Sequence, residues 1–353
     1  MFVSCPGGLE ELLVQEMQEM GLDARKSFRG VFVPKTLQNV YKINYGSRLA
    51  TRVLWPLAEF ACKNRDDLYA GAKKVDWKAY LNLGKTFAID ANVEHPLLRN
   101  SLFAAQVMKD AICDQLRESL GSRPSVDVKN PDIQLHLFIH KNRAQISFDT
   151  SGTPLYKRGW RKESVVAPLQ ESLAVALLKI TGFQGELCDP FCGSGTFLIE
   201  AAMMATQTPA GFFRKSWGLV HMPEHNPKEW LRFRQEENRK IIPLPAGKIF
   251  GADKDPRAVA LAQAHIKTTQ FPIEVVCSDI QHFSQPAPFI LTNPPYGKRL
   301  ASSSPDINIL LSRFSTSQIA FLSSSSYPLK EAFSFSNGGL QVTLYINQKK
   351  ALS

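Results

Sequence analysis

Apolar residues recur at helical spacing near the start of the chain and at every second position in several later stretches. Leu9, Leu12, Leu13, Met17 and Met20 share one face of a helix predicted between Gly8 and Gly21, and Gly21 is a natural stop. Residues 30–33 (Gly-Val-Phe-Val) have strand composition. Val40, Tyr41, Tyr45 and Leu49 predict a second helix over 36–54, with Arg48 and Arg52 on its other side. Residues 60–62 and 86–91 read as strands, and 103–120 as a helix carrying Val107, Ala111, Ile112 and Leu116. Alternation over 133–139 and 144–148 around a polar turn predicts a hairpin. From residue 168 the pattern changes. A helix is expected over 168–180, then strands at 186–190, 248–253, 273–279, 289–293 and 317–323, most separated by helical stretches. That alternation belongs to a doubly wound parallel sheet. Two further strand runs, 333–335 and 340–346, flank Asn337-Gly338, so a closing antiparallel hairpin is expected.

Composition narrows the class only slightly. The 353 residues are 44% hydrophobic and 21% charged, which suits two or three globular domains. The formal net charge of +10 favours a polyanionic partner without naming it, and cations are densest over 156–162. Six cysteines lie without paired metal spacing, so reduced thiols in the cytoplasm are expected rather than disulfides. No signal peptide and no bilayer-spanning apolar run is evident, so no membrane partner is expected. His136 and His140 have no third ligand in view, and Pro223 separates His221 from His225, so no metal is expected either.

Candidate chemistry sits in two stretches. Residues 189–202 (Asp-Pro-Phe-Cys-Gly-Ser-Gly-Thr-Phe-Leu-Ile-Glu-Ala-Ala) read as a strand end, a glycine turn and a helix start. Gly193 and Gly195 let a ligand approach the backbone, and the helix start offers N–H donors to a negative group. The turn suits a dinucleotide pyrophosphate or the carboxylate of S-adenosylmethionine. Leu198 stands where the dinucleotide fingerprint needs its third glycine. The second stretch, 289–300, ends an apolar strand at Asn293-Pro294-Pro295-Tyr296. The prolines remove two N–H donors, so the Asn293 amide oxygen and a bare main-chain carbonyl can converge on one amino group. Tyr296 offers a flat face to a base. The plain alternative is a proline turn after a strand.

Together with 251–259 (Gly-Ala-Asp-Lys-Asp-Pro-Arg-Ala-Val), these stretches resemble class I S-adenosylmethionine-dependent amino-methyltransferases. The upstream half, through Cys5-Pro6-Gly7-Gly8-Leu9-Glu10, 109–114 and 123–127, is similar to THUMP-domain RNA guanine-N2 methyltransferases of the RlmL-like family, which act on 23S ribosomal RNA. The resemblance covers nearly the whole chain. It implies an α/β fold: a Rossmann-like methyltransferase domain at 166–353, preceded by a ferredoxin-like domain at 1–55, a THUMP RNA-binding domain at 56–150 and a basic, aromatic linker at 151–165. Position by position, it assigns Asp189 to the methionine amino group, Asp253 to the ribose and Asp279 to the adenine amine, with Phe191, Gly193, Ser194, Gly195 and Thr196 completing the cofactor loop. Asn293, Pro294, Pro295 and Tyr296 would hold the guanine N2. Asp255 reads as a cap for the helix at Pro256.

RNA contacts are expected at Lys109, Arg123, Lys157, Arg158, Trp160 and Arg161. A solvated helix face remains open for the first two, and a linker strand packing Trp160 inward for the rest. Two features stand out: a long insertion over 207–247, similar to one in RlmL-type enzymes, and a short serine-rich connection after Arg299, where relatives usually carry a longer helix. The implied protein is a monomer that takes ribosomal RNA. A tRNA guanine-N2 enzyme, an adenine-N6 enzyme, a dinucleotide oxidoreductase and a non-catalytic RNA-binding protein are the alternatives.

Overall fold

The structure, a computed structural model, describes residues 1–98, 100–161, 169–283, 285, 287–295, 307–337 and 340–347. Packing divides the chain into two compact units, Met1–Leu155 with Lys215–Gln235, and Tyr156–Arg214 with Glu236–Ser353.

The first unit contains, in order, β1 (Phe2–Ser4), α1 (Glu10–Glu19), β2 (Arg25–Ser27), β3 (Gly30–Phe32), α2 (Leu37–Gly46), β4 (Arg52–Ala61), α3 (Arg65–Lys73), β5 (Thr86–Glu94), α4 (Ser101–Leu120), β6 (Ser125–Val126), β7 (Ile133–His140) and β8 (Arg143–Asp149). The strands form one eight-stranded sheet, ordered β2-β3-β1-β4-β8-β7-β5-β6. β4 joins its halves: Arg52 to Leu54 pair with β1, and Leu54 to Ala61 pair with β8. The expected division at 55/56 falls within β4, which pairs with strands on both sides of it.

The expected helix over 36–54 ends at Gly46. It starts as the pattern implies, with Thr36 Oγ1 accepting from Asn39 N at 3.1 Å. Its end is set from a distance. The buried Glu16 carboxylate on α1 accepts from Ser47 Oγ, Arg48 N and Leu49 N. Those donors would otherwise have needed helical carbonyls, so the chain can leave the helix and enter β4 with them satisfied. Arg52 then begins a strand, paired with the buried Asp149.

The second unit contains α5 (Glu171–Ile180), β9 (Leu187–Asp189), α6 (Thr196–Ala205), β10 (Ile249–Asp253), α8 (Pro256–Thr269), β11 (Glu274–Cys277), β12 (Phe289–Thr292), α9 (Ile307–Arg313), β13 (Gln318–Ser323), β14 (Lys330–Asn337) and β15 (Leu340–Asn347), while α7 (Pro227–Asn238) lies mainly in the first unit. The sheet order is β11-β10-β9-β12-β13-β15-β14. Strands β9 to β13 pair in parallel, β15 runs antiparallel to β13, and β14 antiparallel to β15. Alternate residues feed two separate apolar clusters: Leu187, Leu291, Ala320 and Leu322 enter one, and Cys188, Ile290, Ile319 and Phe321 the other. Both faces are covered, which is why these strands read as continuous apolar runs.

Part of the insertion serves the first unit. Trp217 and Trp230 are buried, with Trp230 centred 5.0 Å from the Tyr41 ring and 5.7 Å from the Tyr45 ring. Asn226 N donates to the Tyr41 hydroxyl at 3.0 Å, and Leu219 N to the Thr150 carbonyl at 2.7 Å. Its tryptophans complete the core beside α2.

Candidate active site

The glycine loop follows β9 directly. Gly193 and Gly195 have φ of +53° and +82°, and Gly195 stands immediately before α6. A Cβ added to Gly193 would meet nothing within 4 Å, so the loop leaves open space there while its own N–H donates to Asp253 Oδ2 at 2.9 Å. Gly251 on β10 has the opposite reason to be glycine. Its Cβ would lie 2.7 Å from Leu198 Cδ1 and 3.0 Å from Cys192 Cβ, so β10 packs against the loop with no room for a side chain. A branched residue at Gly193 would be strained by about 1–2 kcal/mol and would fill the open space. Gly193→Val should therefore weaken S-adenosylmethionine binding by about tenfold or more, read by calorimetry, with RNA retention near that of the wild type. Unchanged cofactor affinity would remove this loop from the binding site.

Three carboxylates end neighbouring strands. Gly251 pairs with Asp189 across β10 and β9, and Asp253 with Cys277 across β10 and β11, two residues before Asp279. Asp189 is 1% exposed. Its Oδ1 accepts from Thr292 Oγ1 at 2.6 Å and from Phe191 N at 3.1 Å. Burial pushes its pKa up to about 7, opposed by those two hydrogen bonds and assisted by the charge of Asp253. Asp253 accepts from Gly193 N on one oxygen and from Asp255 N on the other. Asp279 Oδ1 accepts from Gln281 N at 2.9 Å. Asp255 caps α8, accepting from Arg257 N at 2.8 Å with Pro256 opening the helix. Phe191 packs against the apolar cluster that includes Phe250 and Ile290. The Cys188 and Cys192 thiols are pushed up by burial and fill space beside the loop.

Asn293 follows β12, the strand between β9 and β13. Its Oδ1 is buried and has no hydrogen-bond partner among the described residues. Such an orphan acceptor is costly, about 1–3 kcal/mol, and calls for an explanation in a ligand. Pro294 and Pro295 follow it outside any helix or strand, and Tyr296 lies outside the described residues. The preceding residue, Thr292, is the one that holds Asp189, so the candidate amine acceptor and the candidate cofactor carboxylate are linked through adjacent residues. A Thr before Asn293 carries no recognisable sign of that bond in the sequence.

The bridge residues have other partners than those expected. Arg158 is 1% exposed and Trp160 is fully buried, and both donate to Glu200 Oε1 on α6, at 3.3 and 3.4 Å. Neither has surface to offer a phosphate or a base, so the inward-packing alternative describes them. Arg161 is mostly buried. It donates through Nε to Glu171 Oε1 at 3.0 Å, through Nη1 to Ser194 Oγ at 3.0 Å and through Nη2 to Thr196 Oγ1 at 2.9 Å. Burial pushes the Glu171 pKa up, and Arg161 pulls it back down. The hydroxyls of Ser194 and Thr196, two residues of the expected cofactor loop, are thus engaged by Arg161. The expected boundary at 166 would cut these residues away from the unit they pack in, which begins at Tyr156.

Lys157 is exposed. In the first unit, Lys109 pairs with Asp110 at 2.9 Å and Arg123 with Asp114 at 3.1 Å, all partly exposed. Exposed pairs are worth at most about 1 kcal/mol, so these two cations can be recruited by phosphate. Among the described residues no group of three or more His, Cys, Asp and Glu could hold a metal ion, and no helix is long and apolar enough to cross a membrane.

Comparison with known proteins places the fold in a family context. Residues 1–54 match the RlmL ferredoxin-like domain, 62–149 the THUMP domain and 158–327 the RMKL-like methyltransferase domain. The chain is 37% identical over 318 residues to ribosomal RNA large subunit methyltransferase K/L of Pseudomonas aeruginosa, and 35% over 319 residues to that of Syntrophotalea carbinolica. Each match takes in 85% of this chain and 44% of the relative, so the chain spans less than half the length of those curated relatives. The crystal structure of SMU.472, described as a methyltransferase and complexed with SAH, superposes with a TM-score of 0.86 at 25% identity, covering 100% of this chain and 98% of that one. TrmN from Thermus thermophilus shares the fold, with a TM-score of 0.66 at 20% identity over 98% of each chain.

Proposed function

We propose that this chain, which belongs to the THUMP-domain class I methyltransferases of the RMKL-like family, transfers a methyl group from S-adenosylmethionine to the exocyclic N2 of a guanosine in 23S ribosomal RNA. The observation that carries the reading is the buried, unpartnered Asn293 Oδ1 beside the Thr292–Asp189 bond. The names of the curated relatives support ribosomal RNA as the substrate, and the SAH held by SMU.472 supports the cofactor.

The residues fit that cofactor. Asp189 keeps Oδ2 for a cationic amine, the open side of Gly193 admits the methionine end, and Asp253 and Asp279 are held where hydroxyls and an adenine amine can reach them. S-adenosylmethionine supplies an electrophilic methyl group when bound. The chain's own work is alignment, for which near-attack geometry is worth about 7–11 kcal/mol. Asn293 Oδ1 and the Pro294 carbonyl accept hydrogen bonds from the two N2 hydrogens, which draws the nitrogen lone pair out of the ring and towards the methyl group; SAH is left as a neutral thioether, and the methylated, now cationic nitrogen releases one proton to water. A paired guanine must first leave its helix. Lys109, Arg123 and Lys157 contribute phosphate contacts, so RNA affinity falls steeply with salt.

The test is incubation of the full chain with protein-free 23S ribosomal RNA and labelled S-adenosylmethionine, followed by nucleoside mass spectrometry. N2-methylguanosine is the expected product. N6-methyladenosine, or methylation of tRNA in preference to ribosomal RNA, would replace this reading with one of its rivals.

A further inference from the structure

We propose that Arg161 is a positioning residue for the cofactor loop, holding the segment around Gly195 in the shape that receives the methionine end of the ligand. This rests on the S-adenosylmethionine reading above. Arg161 stands ahead of the first methyltransferase strand in the sequence, yet its guanidinium bonds the two hydroxyls that flank Gly195. The third direction of the planar fork is fixed by Glu171 on α5, and the Trp160 ring lies beneath, 4.6 Å from the guanidinium carbon.

The support under this fork is also built. Trp160 and Arg158 both bond Glu200, which lies one helical turn beyond Thr196 on α6. The loop is also held through the buried His265 on α8, which bonds the Ser194 carbonyl through Nδ1 at 3.0 Å and packs edge-on against Trp160, with ring centroids 5.4 Å apart. Ser194 is therefore gripped at its hydroxyl from one side and its carbonyl from the other. The charges in the brace balance, with Arg158 and Arg161 against Glu171 and Glu200.

This arrangement has a specific consequence. With the Ser194 and Thr196 hydroxyls turned to Arg161, and the Cys192, Gly193 and Gly195 N–H groups bonded within the fold, the loop offers a ligand the open space beside Gly193. The shape of that space depends on Gly195 keeping its left-handed conformation, at φ +82°. A glycine loop left to itself samples many conformations, and ordering it on binding costs affinity. Arg161 removes that cost in advance. Lysine cannot substitute, because one ammonium cannot span two hydroxyls and a carboxylate in a plane.

The experiment compares SAH with 5′-methylthioadenosine, which keeps the adenosine and thioether but lacks the amino-acid end. Binding is measured by calorimetry to the full chain and its variants. Arg161→Gln should weaken SAH by about tenfold or more while leaving 5′-methylthioadenosine within about twofold, and Arg161→Lys should resemble Arg161→Gln. Ser194→Ala, which removes one acceptor from the loop side, should show the same selective loss in milder form and covers the case in which Arg161→Gln fails to fold. Equal losses for both ligands would make Arg161 a general scaffold residue and overturn the proposal. So would full rescue by lysine, or SAH affinity unchanged in Arg161→Gln and Ser194→Ala. A wild-type chain that binds no SAH would instead sink the cofactor reading, and this inference with it.

Discussion

Replacing Asn293 by Ala should slow single-turnover methyl transfer by about 10²–10³-fold while S-adenosylmethionine binds within about twofold of wild type. The size follows from what the side chain has to offer. Its Oδ1 is buried and bonded to no described residue, so removing it breaks no hydrogen bond made by that oxygen in the unliganded protein. The loss falls on the step in which the N2 hydrogens become more acidic, and an acceptor placed there matters most in the transition state. Stability should stay close to that of the wild type. Deleting an unsatisfied buried acceptor relieves a desolvation cost, so the variant's melting temperature should be no more than about 2 °C below wild type despite the smaller side chain. Asn293→Asp keeps an acceptor oxygen and should retain more activity than Asn293→Ala. Equal transfer rates for wild type and Asn293→Ala on the same ribosomal RNA fragment would reduce the Asn-Pro-Pro segment to a structural turn.

Cofactor affinity should depend on pH through Asp189, weakening about tenfold for each unit below pH 7 and levelling off just above it. Asp189 has a pKa raised to about 7 by burial. In the free protein it is only about one part in ten ionised at pH 6, and a cationic amine needs the carboxylate. Binding below pH 7 must therefore release a proton, detectable as a dependence of the binding enthalpy on the buffer. The same shift bears on stability with a definite sign. The folded pKa lies above the unfolded value near 3.9, so the folded state holds the extra proton between those values. That contribution is fully present below about pH 4 and is lost as pH rises through 7. The free protein is thus helped by acid in this window and the cofactor complex is weakened by it. Asp189→Asn should flatten both dependences and lower S-adenosylmethionine affinity at pH 7.5 to about the level of wild type at pH 6 or below. Calorimetry between pH 5.5 and 7.5, over which an α-amino group of pKa about 8 stays mainly charged, covers the window. A flat wild-type profile would show that the amine is held elsewhere.

These two residues were legible for different reasons. Asn293 lies in a run whose residue types constrain the backbone by themselves: an apolar strand, then two prolines that delete donors. Asp189 was legible as the last residue of a strand before a glycine turn, but not the Thr292 bond that orients it, because Thr292 is far away in the chain and ordinary in type. The bridge shows the same limit. Alternating cations and aromatics over 156–162 look like a nucleic-acid surface, yet Arg158 and Trp160 face Glu200 and Arg161 faces Glu171. An arginine carries the same charge whether it meets a phosphate or a buried carboxylate on another helix.

The chain's local chemistry was enough to specify most of its elements. Side-chain periodicity, glycine and proline positions and capping residues act within a few neighbours, so the five parallel strands, the closing hairpin and the cap of α8 could be placed from residue order alone. The end of α2 could not. It depends on Glu16 accepting donors from the chain around Ser47, roughly thirty residues on. The same holds for the insertion, whose tryptophans had no visible partner until Tyr41 and Tyr45 were brought beside them. Long-range pairs of this kind form only once both segments are folded, because each group finds its low-energy partner through packing rather than through sequence proximity.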